Sequence, residues 1–184
     1  MTEKVVFEGK IIEVLTKPVK LGDKVVEFER ARRSPGTRLL IVKNKEVLLT
    51  KEYRHELNDY DYRLPGGKVF DKLKDYSTFL DTKKDILEPA TLAAKKECLE
   101  EAGILAKDLK LIKVSKAGST IEWDLYYFLV EYFEEKKQNL ELGEDIKPEW
   151  FSFQKAKMLC LEGKVNEDRS LGILLKYLCE QELA

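Results

Sequence analysis

The sequence predicts an α+β fold: an α/β/α sandwich around a mixed β-sheet, with an antiparallel strand region at its N-terminus. Three observations predict it. Runs rich in Val, Ile, Leu and Phe dominate the first sixty-odd residues, one helical pattern interrupts the strands near the middle, and two helical patterns close the chain. A chain of 184 residues is long enough for one well-packed domain. Its 33 basic and 34 acidic side chains leave a formal charge of −1, without the basic excess of a protein that grips nucleic acid, so no nucleic-acid partner is expected. No apolar run approaches the roughly 18–20 residues that span a bilayer. The opening "MTEKVVFEGK" has no apolar core of the signal-peptide kind, and the expectation is a cytoplasmic protein with no membrane partner.

Each element has its own reason. "KVVFEGKIIEVLTKPVKL" and "KVVEFERAR" read as strands turning at Gly22–Asp23. "SPG" at Ser34–Gly36 breaks the pattern and divides an N-terminal β region (1–35) from the main domain (36–184). "TRLLIVKNKEVLLTKEYR" predicts a hairpin turning at Asn44–Lys45, and "YDYRLPGGKVF" a short strand running into a Pro-Gly-Gly loop. Asp71 to Leu87 is polar and weakly periodic, a surface excursion with about one helical turn. A helix is expected from Glu88–Pro89, with proline tolerated in the first turn, to a stop at Gly103. "LKLIKVSK", "IEWDLYYFLVEYF" and "IKPEWFSF" read as three further strands. Helices over 154–161 and 168–181 follow, the second with a Leu171, Leu174, Leu175, Leu178 core stripe.

Several chemistries drop out. Cys98, Cys160 and Cys179 form no Cys-x-x-Cys pair and His55 is the only histidine, which excludes a zinc site and leaves nucleophilic triads nothing to build on. All three cysteines sit in apolar helical patterns and read as core filling.

The stretch "KKECLEEAGI" (95–104) is different. At 100° per residue, Glu100 and Glu101 lie within about 60° of Glu97, so the three share one helix face, and Leu92, Leu99 and Ala102 lie opposite as the buried stripe. Carboxylates in a last helical turn meet the negative end of the macrodipole, at about 0.3–1 kcal/mol each. The bland reading is a solvated acidic face. A divalent cation reverses the argument, because magnesium takes oxygen ligands and is satisfied by a few carboxylates plus substrate phosphates. The adjacent glycines of "LPGGK" (64–68) let backbone approach a ligand closely.

Together these residues resemble the Nudix box. Glu88 is followed by seven residues and then Lys96-Glu97-Cys98-Leu99-Glu100-Glu101-Ala102-Gly103-Ile104, which matches the family's R-E-U-x-E-E-x-G-U with Lys96 in place of arginine and Cys98 in an aliphatic slot. "LPGGK" is also typical of the family. Twenty residues, not five, separate Gly67 from Glu88, which implies an insertion of about fifteen residues at about 70–87. The resemblance implies a Nudix hydrolase fold and Mg2+ (or Mn2+) held by Glu97, Glu100, Glu101 and the Gly67 carbonyl. Glu88 and Lys96 would orient these ligands from behind.

Beyond the box the chain resembles the ADP-ribose and nucleoside-diphosphate-sugar pyrophosphatase branch. "LLTKEYR" points to Arg54 as a phosphate or ribose contact. "ELGEDI" leaves Glu144, or with less support Glu141, as general base, the other catalytic candidates for that part being the box glutamates Glu97 and Glu101. Glu122 fits the branch's pattern as a substrate contact, and Arg30, with Arg32, Arg33 and Arg38, could reach phosphates across a dimer or be a solvated basic edge. Phe28, Tyr53 and Trp123 could stack on a base or be ordinary strand aromatics. In this branch the N-terminal strands commonly exchange across a dimer, so the resemblance implies a homodimer. Where the branch has Ser-Pro-Gly this chain has Lys116-Ala117-Gly118, a departure that bears on the substrate. The implied activity is Mg2+-dependent hydrolysis of a nucleoside diphosphate linked to another group. The alternative is a non-catalytic Nudix-fold module that binds a nucleotide as a regulator.

Overall fold

The computed structural model describes residues 2–55, 57–140 and 143–183, and these contain twelve strands and four helices. β1 (Lys4–Glu8), β2 (Glu13–Leu21) and β3 (Lys24–Arg32) form an antiparallel N-terminal sheet. Gly22, at φ 61°, supplies the left-handed residue that the β2–β3 turn requires. A short strand, β9 (Ile121–Glu122), joins β3 in parallel and ties this sheet to the rest.

The main sheet is mixed. It contains β4 (Gly36–Lys43), β5 (Glu46–Arg54), β6 (Asp59–Arg63), β8 (Lys110–Ser115), β10 (Leu125–Val130) and β12 (Ile146–Ser152), in the order β12-β5-β4-β10-β8 with β6 on β5. Only the β4–β10 pairing is parallel; the others in this sheet are antiparallel. β7 (Ile104–Ala106) and β11 (Phe133–Glu135) make a separate ribbon. Alternation along β4 sends Leu39 and Ile41 to one face and Leu40 and Val42 to the other. The first pair packs with Ala90, Ala94 and Cys98 of α2 (Leu87–Glu100). The second packs with residues of α3 (Phe153–Leu161) and α4 (Asp168–Leu183). Helices cover both faces, as the sequence predicts.

Four local expectations change. Residues 71–87 hold a nine-residue helix, α1 (Leu73–Asp81), because Leu73 and Tyr76 have apolar surface to bury against. The predicted strand over 121–133 is three strands, with Asp124 at the first break accepting the Gly36 N–H at 2.9 Å. Leu92 is 62% exposed, and the buried stripe of α2 is Ala90, Ala94, Cys98 and Ala102. Small residues at i, i+4 spacing bring the helix close to the sheet, a contact a leucine would have held off. Cys98 and Cys160 are core, but Cys179 is exposed, being next to the buried Leu178 on α4 rather than on its stripe.

Candidate active site

The loop after β6 returns along the first half of β4, where it takes the place of a paired strand. Leu39 N–H donates to the Pro65 carbonyl and Thr37 N–H to the Gly67 carbonyl, each at 2.8 Å. This leaves Gly66 and Gly67 facing the last turn of α2. Gly66 N–H donates to Glu101 Oε2 at 2.7 Å. A Cβ on Gly67 would stand 2.0 Å from Glu97 Oε1, so any side chain there would push that carboxylate aside. The small-residue stripe of α2 fixes its rotation, and this rotation turns Glu97 and Glu101 towards the loop.

The carbonyls of that last turn are not left bare. Asn139 N–H donates to the Glu100 carbonyl at 3.2 Å, the Gln138 side-chain amide donates to the Glu101 carbonyl, and Lys136 N–H donates to the Gly103 carbonyl at 2.7 Å. Gly103, at φ 65°, ends the helix in the left-handed conformation. Donors from 136–139 therefore offset the unfavourable end of the macrodipole. The same segment leads on to Glu144, which lines the site. Sequence reasoning missed Gln138 and Asn139, since nothing in their local pattern links them to a helix more than thirty residues earlier.

Glu97, Glu100, Glu101 and Glu144 line one concavity of about 140 Å³ with Asp71, Gly67, Lys68 and Lys96. Five carboxylates face two ammonium groups there. Lys96 Nζ lies 3.3 Å from Glu100 Oε2, an i, i+4 pair that raises the lysine pKa, chiefly through their hydrogen bond. Burial pushes the Glu101 carboxyl up to about 8; the Gly66 N–H and Arg38 oppose the shift, while Glu97 and Glu144 add to it. The donor set is all oxygen and suits a hard divalent cation. Among the described residues no three such side chains are grouped closely enough to ligate one ion as they stand. The Gly67 carbonyl already accepts the Thr37 N–H, which leaves it one lone pair for an ion.

Other candidate residues lie elsewhere. Glu88 is exposed in the first turn of α2, eight residues and about 12 Å of helix rise from Lys96. Arg54 ends β5 opposite Asp59, with Nη1 3.0 Å from Glu52 Oε1. Arg30 and Glu122 do come together, at 3.3 Å, in a second and larger cleft of about 730 Å³. Phe28 is exposed on β3 and Tyr53 packs edge-on against His55 and Tyr60. Trp123 carries two guanidinium groups, Arg33 and Arg169, each 4.3 Å from its ring centre. Glu141 lies outside the described residues.

The glycine loop, the clustered carboxylates and the sandwich define a Nudix-type pyrophosphohydrolase. Residues 32–171 match the model of the NUDIX domain, and the chain belongs to the Nudix family. A solved structure described as an ADP compounds hydrolase shares the fold, with a TM-score of 0.67 at 17% identity over 100% of this chain and 92% of that one. Comparison with curated proteins gives no match.

Proposed function

We propose that the protein hydrolyses the pyrophosphate bond of a nucleoside diphosphate linked to another group, of ADP-ribose or nucleotide-sugar type, with Mg2+ or Mn2+ as the metal. The observation that carries this is the excess of carboxylates around Gly67, in a concavity whose glycine wall lets Glu97 come close to the backbone. The name of the structural neighbour supports the substrate class. Glu97, Glu100, Glu101 and the Gly67 carbonyl would hold the metal. When bound, a divalent cation neutralises pyrophosphate charge and acidifies water.

The remaining work falls to the chain. Gly66 N–H keeps Glu101 oriented. Glu144, on the same concavity, takes the proton of the attacking water. The water oxygen bonds to one phosphorus, the bridging oxygen leaves with the other, and the products are a nucleoside monophosphate and the phosphorylated partner. Lys96 holds Glu100 in place, and Glu88 supports α2 from its first turn. Arg30 and Glu122 bind substrate in the neighbouring cleft, with Arg54 as a further contact.

The N-terminal region (1–35) supports a homodimer. Val5, Val6, Phe7, Ile11, Leu21, Val25 and Phe28 are all more than half exposed. So much apolar surface on one small sheet fits a second copy of the chain. No helix among the described residues is long and apolar enough to cross a membrane, and cytoplasmic location remains part of this reading.

The test is a panel of nucleoside diphosphate derivatives with Mg2+ or Mn2+, read by product mass. Release of nucleoside monophosphate, abolished in Glu101→Gln, is the expected result. Tight nucleotide binding without turnover would favour the regulatory module instead.

A further inference from the structure

α1, the helix between Gly67 and Glu88, stands against the larger cleft. Its Tyr76 and Leu80 form one wall, and Arg30, Arg32, Lys116, Ser119, Glu122 and Asp124 line most of the rest. The same two residues, with Asp124, also border a neighbouring concavity of about 360 Å³, lined further by Phe79, Lys83 and Asp85. Tyr76 and Leu80 are thus the part of the inserted helix that the two spaces share.

This part of the helix is braced. Phe70 stacks on Tyr76 with ring centres 5.6 Å apart and packs at a tilt against Phe79 at 5.2 Å. Phe70 N–H donates to Ser34 Oγ and Val69 N–H to the Pro35 carbonyl, each at 2.9 Å. α1 is therefore anchored at the start of β4, the strand that also holds the glycine loop. Asp124 accepts from Gly36 N–H, and Gly36 bridges to Lys68, so two strand spacings, about 10 Å, separate the cleft from the acidic concavity. A diphosphate ester can span that distance.

We propose that Tyr76 and Leu80, on the inserted helix, select among the glycosyl groups that the diphosphate can carry into this cleft. The inference rests on the hydrolase reading for the position of the diphosphate. Its chemistry comes from the cleft. Glu122 and Asp124 accept hydrogen bonds from hydroxyls, and Arg30, Lys116 and Ser119 donate them. Leu80 limits the size of the group, and the Tyr76 hydroxyl, kept protonated by burial and the neighbouring Glu122, donates one bond more.

The test compares ADP-ribose with the methyl ester of ADP, which lacks a glycosyl group. In Leu80→Trp, KM for ADP-ribose should rise at least tenfold with kcat within twofold, while KM for the methyl ester stays within twofold. Tyr76→Phe should raise KM for ADP-ribose two- to fivefold, and Leu161→Ala, on the exposed face of α3, should change neither. An unchanged KM for ADP-ribose in Leu80→Trp, or an equal rise for both compounds, overturns the proposal. If Leu80→Trp does not fold, Leu80→Ala takes its place: widening the cleft should shift the KM ratio of ADP-glucose to ADP-ribose at least threefold, and an unchanged ratio overturns the proposal. If the wild type hydrolyses neither compound, equilibrium dialysis of ADP-ribose with Mg2+ decides. Binding weakened at least tenfold by Leu80→Trp keeps this inference while the hydrolase reading falls; unaltered or absent binding removes the inference as well.

Discussion

The Arg32 cluster and the acidic concavity are both built from carboxylates, and they settle their charge in opposite ways. Arg32 sits among Glu3, Glu13 and Glu122 at 2.8, 3.0 and 3.1 Å, with Arg30 paired to Glu3 and Glu122 as well. Burial would lower the Arg32 pKa, yet the three carboxylates more than offset it, and the pKa is raised. At the end of α2 carboxylates outnumber cations, and the most buried of them is pushed towards its neutral form. A cluster in which every carboxylate has a guanidinium partner holds together from within. One left with excess charge is shaped for something that comes from outside.

Removing charge from the acidic side should break the comparison most visibly. Glu101→Gln is expected to lose more than about 100-fold in kcat, since changes one shell further out from a metal typically cost about 10–100-fold. Its Tm should not fall, because a carboxyl that resists ionisation is replaced by a neutral amide. Activity above a tenth of wild type would refute the role of Glu101.

The two adjacent glycines sharpen the contrast between function and structure. Gly67→Ala should displace Glu97 and cut kcat/KM by about 10–100-fold while Tm stays close to wild type. Gly66→Ala should instead unfold the protein earlier. Its Cβ would stand 2.2 Å from the Thr37 carbonyl oxygen at φ +146°, a strain of about 1–3 kcal/mol. Thermal melts and kinetics on both variants would show whether the effects separate in this way.

On the paired side, Arg32→Met leaves Glu13, 5% exposed at its side chain, without its guanidinium partner. A loss of about 2 kcal/mol follows, or about 4–8 °C in Tm. A Tm unchanged within error would mean that the network contributes nothing to stability.

The smallest effect concerns pH. In the folded protein Glu101 keeps its proton up to about pH 8, whereas the unfolded chain releases it near the ordinary carboxylate value. Between those two points the folded state binds more protons, so the contribution of this group to stability is full below about pH 4.5 and is lost as pH rises through about 8. The difference in Tm between metal-free wild type and Glu101→Gln should therefore change in the mutant's favour from pH 5 to 8. A constant difference would count against the buried carboxyl.

Much of the fold could be read from local pattern. The β2–β3 and β4–β5 turns, the span of α2 and the two closing helices follow from turn residues, periodicity and a glycine stop. Of the candidate site, Glu97, Glu100, Glu101 and the Pro-Gly-Gly loop were legible because spacing on a helix and paired glycines are properties of a short stretch. α1 was not: its apolar residues are few, and only packing by Phe70 against Tyr76 and Phe79 gives them a surface to bury. Leu92 misled for a related reason. Periodicity marks an apolar side chain but cannot show that the sheet lies close enough to accept only alanine and cysteine at that face.

By itself, then, the sequence determined which carboxylates share a helix face, where that helix stops and which loop has no Cβ to obstruct them. Those are consequences of backbone geometry over a few residues. Tertiary structure alone decided that Gln138 and Asn139 cap the acidic turn, that Arg30 meets Glu122 in a separate cleft, and that an inserted helix walls it. Each of these joins residues far apart in the chain, and such contacts are settled by how strands pair and layers pack, not by the identity of neighbouring residues.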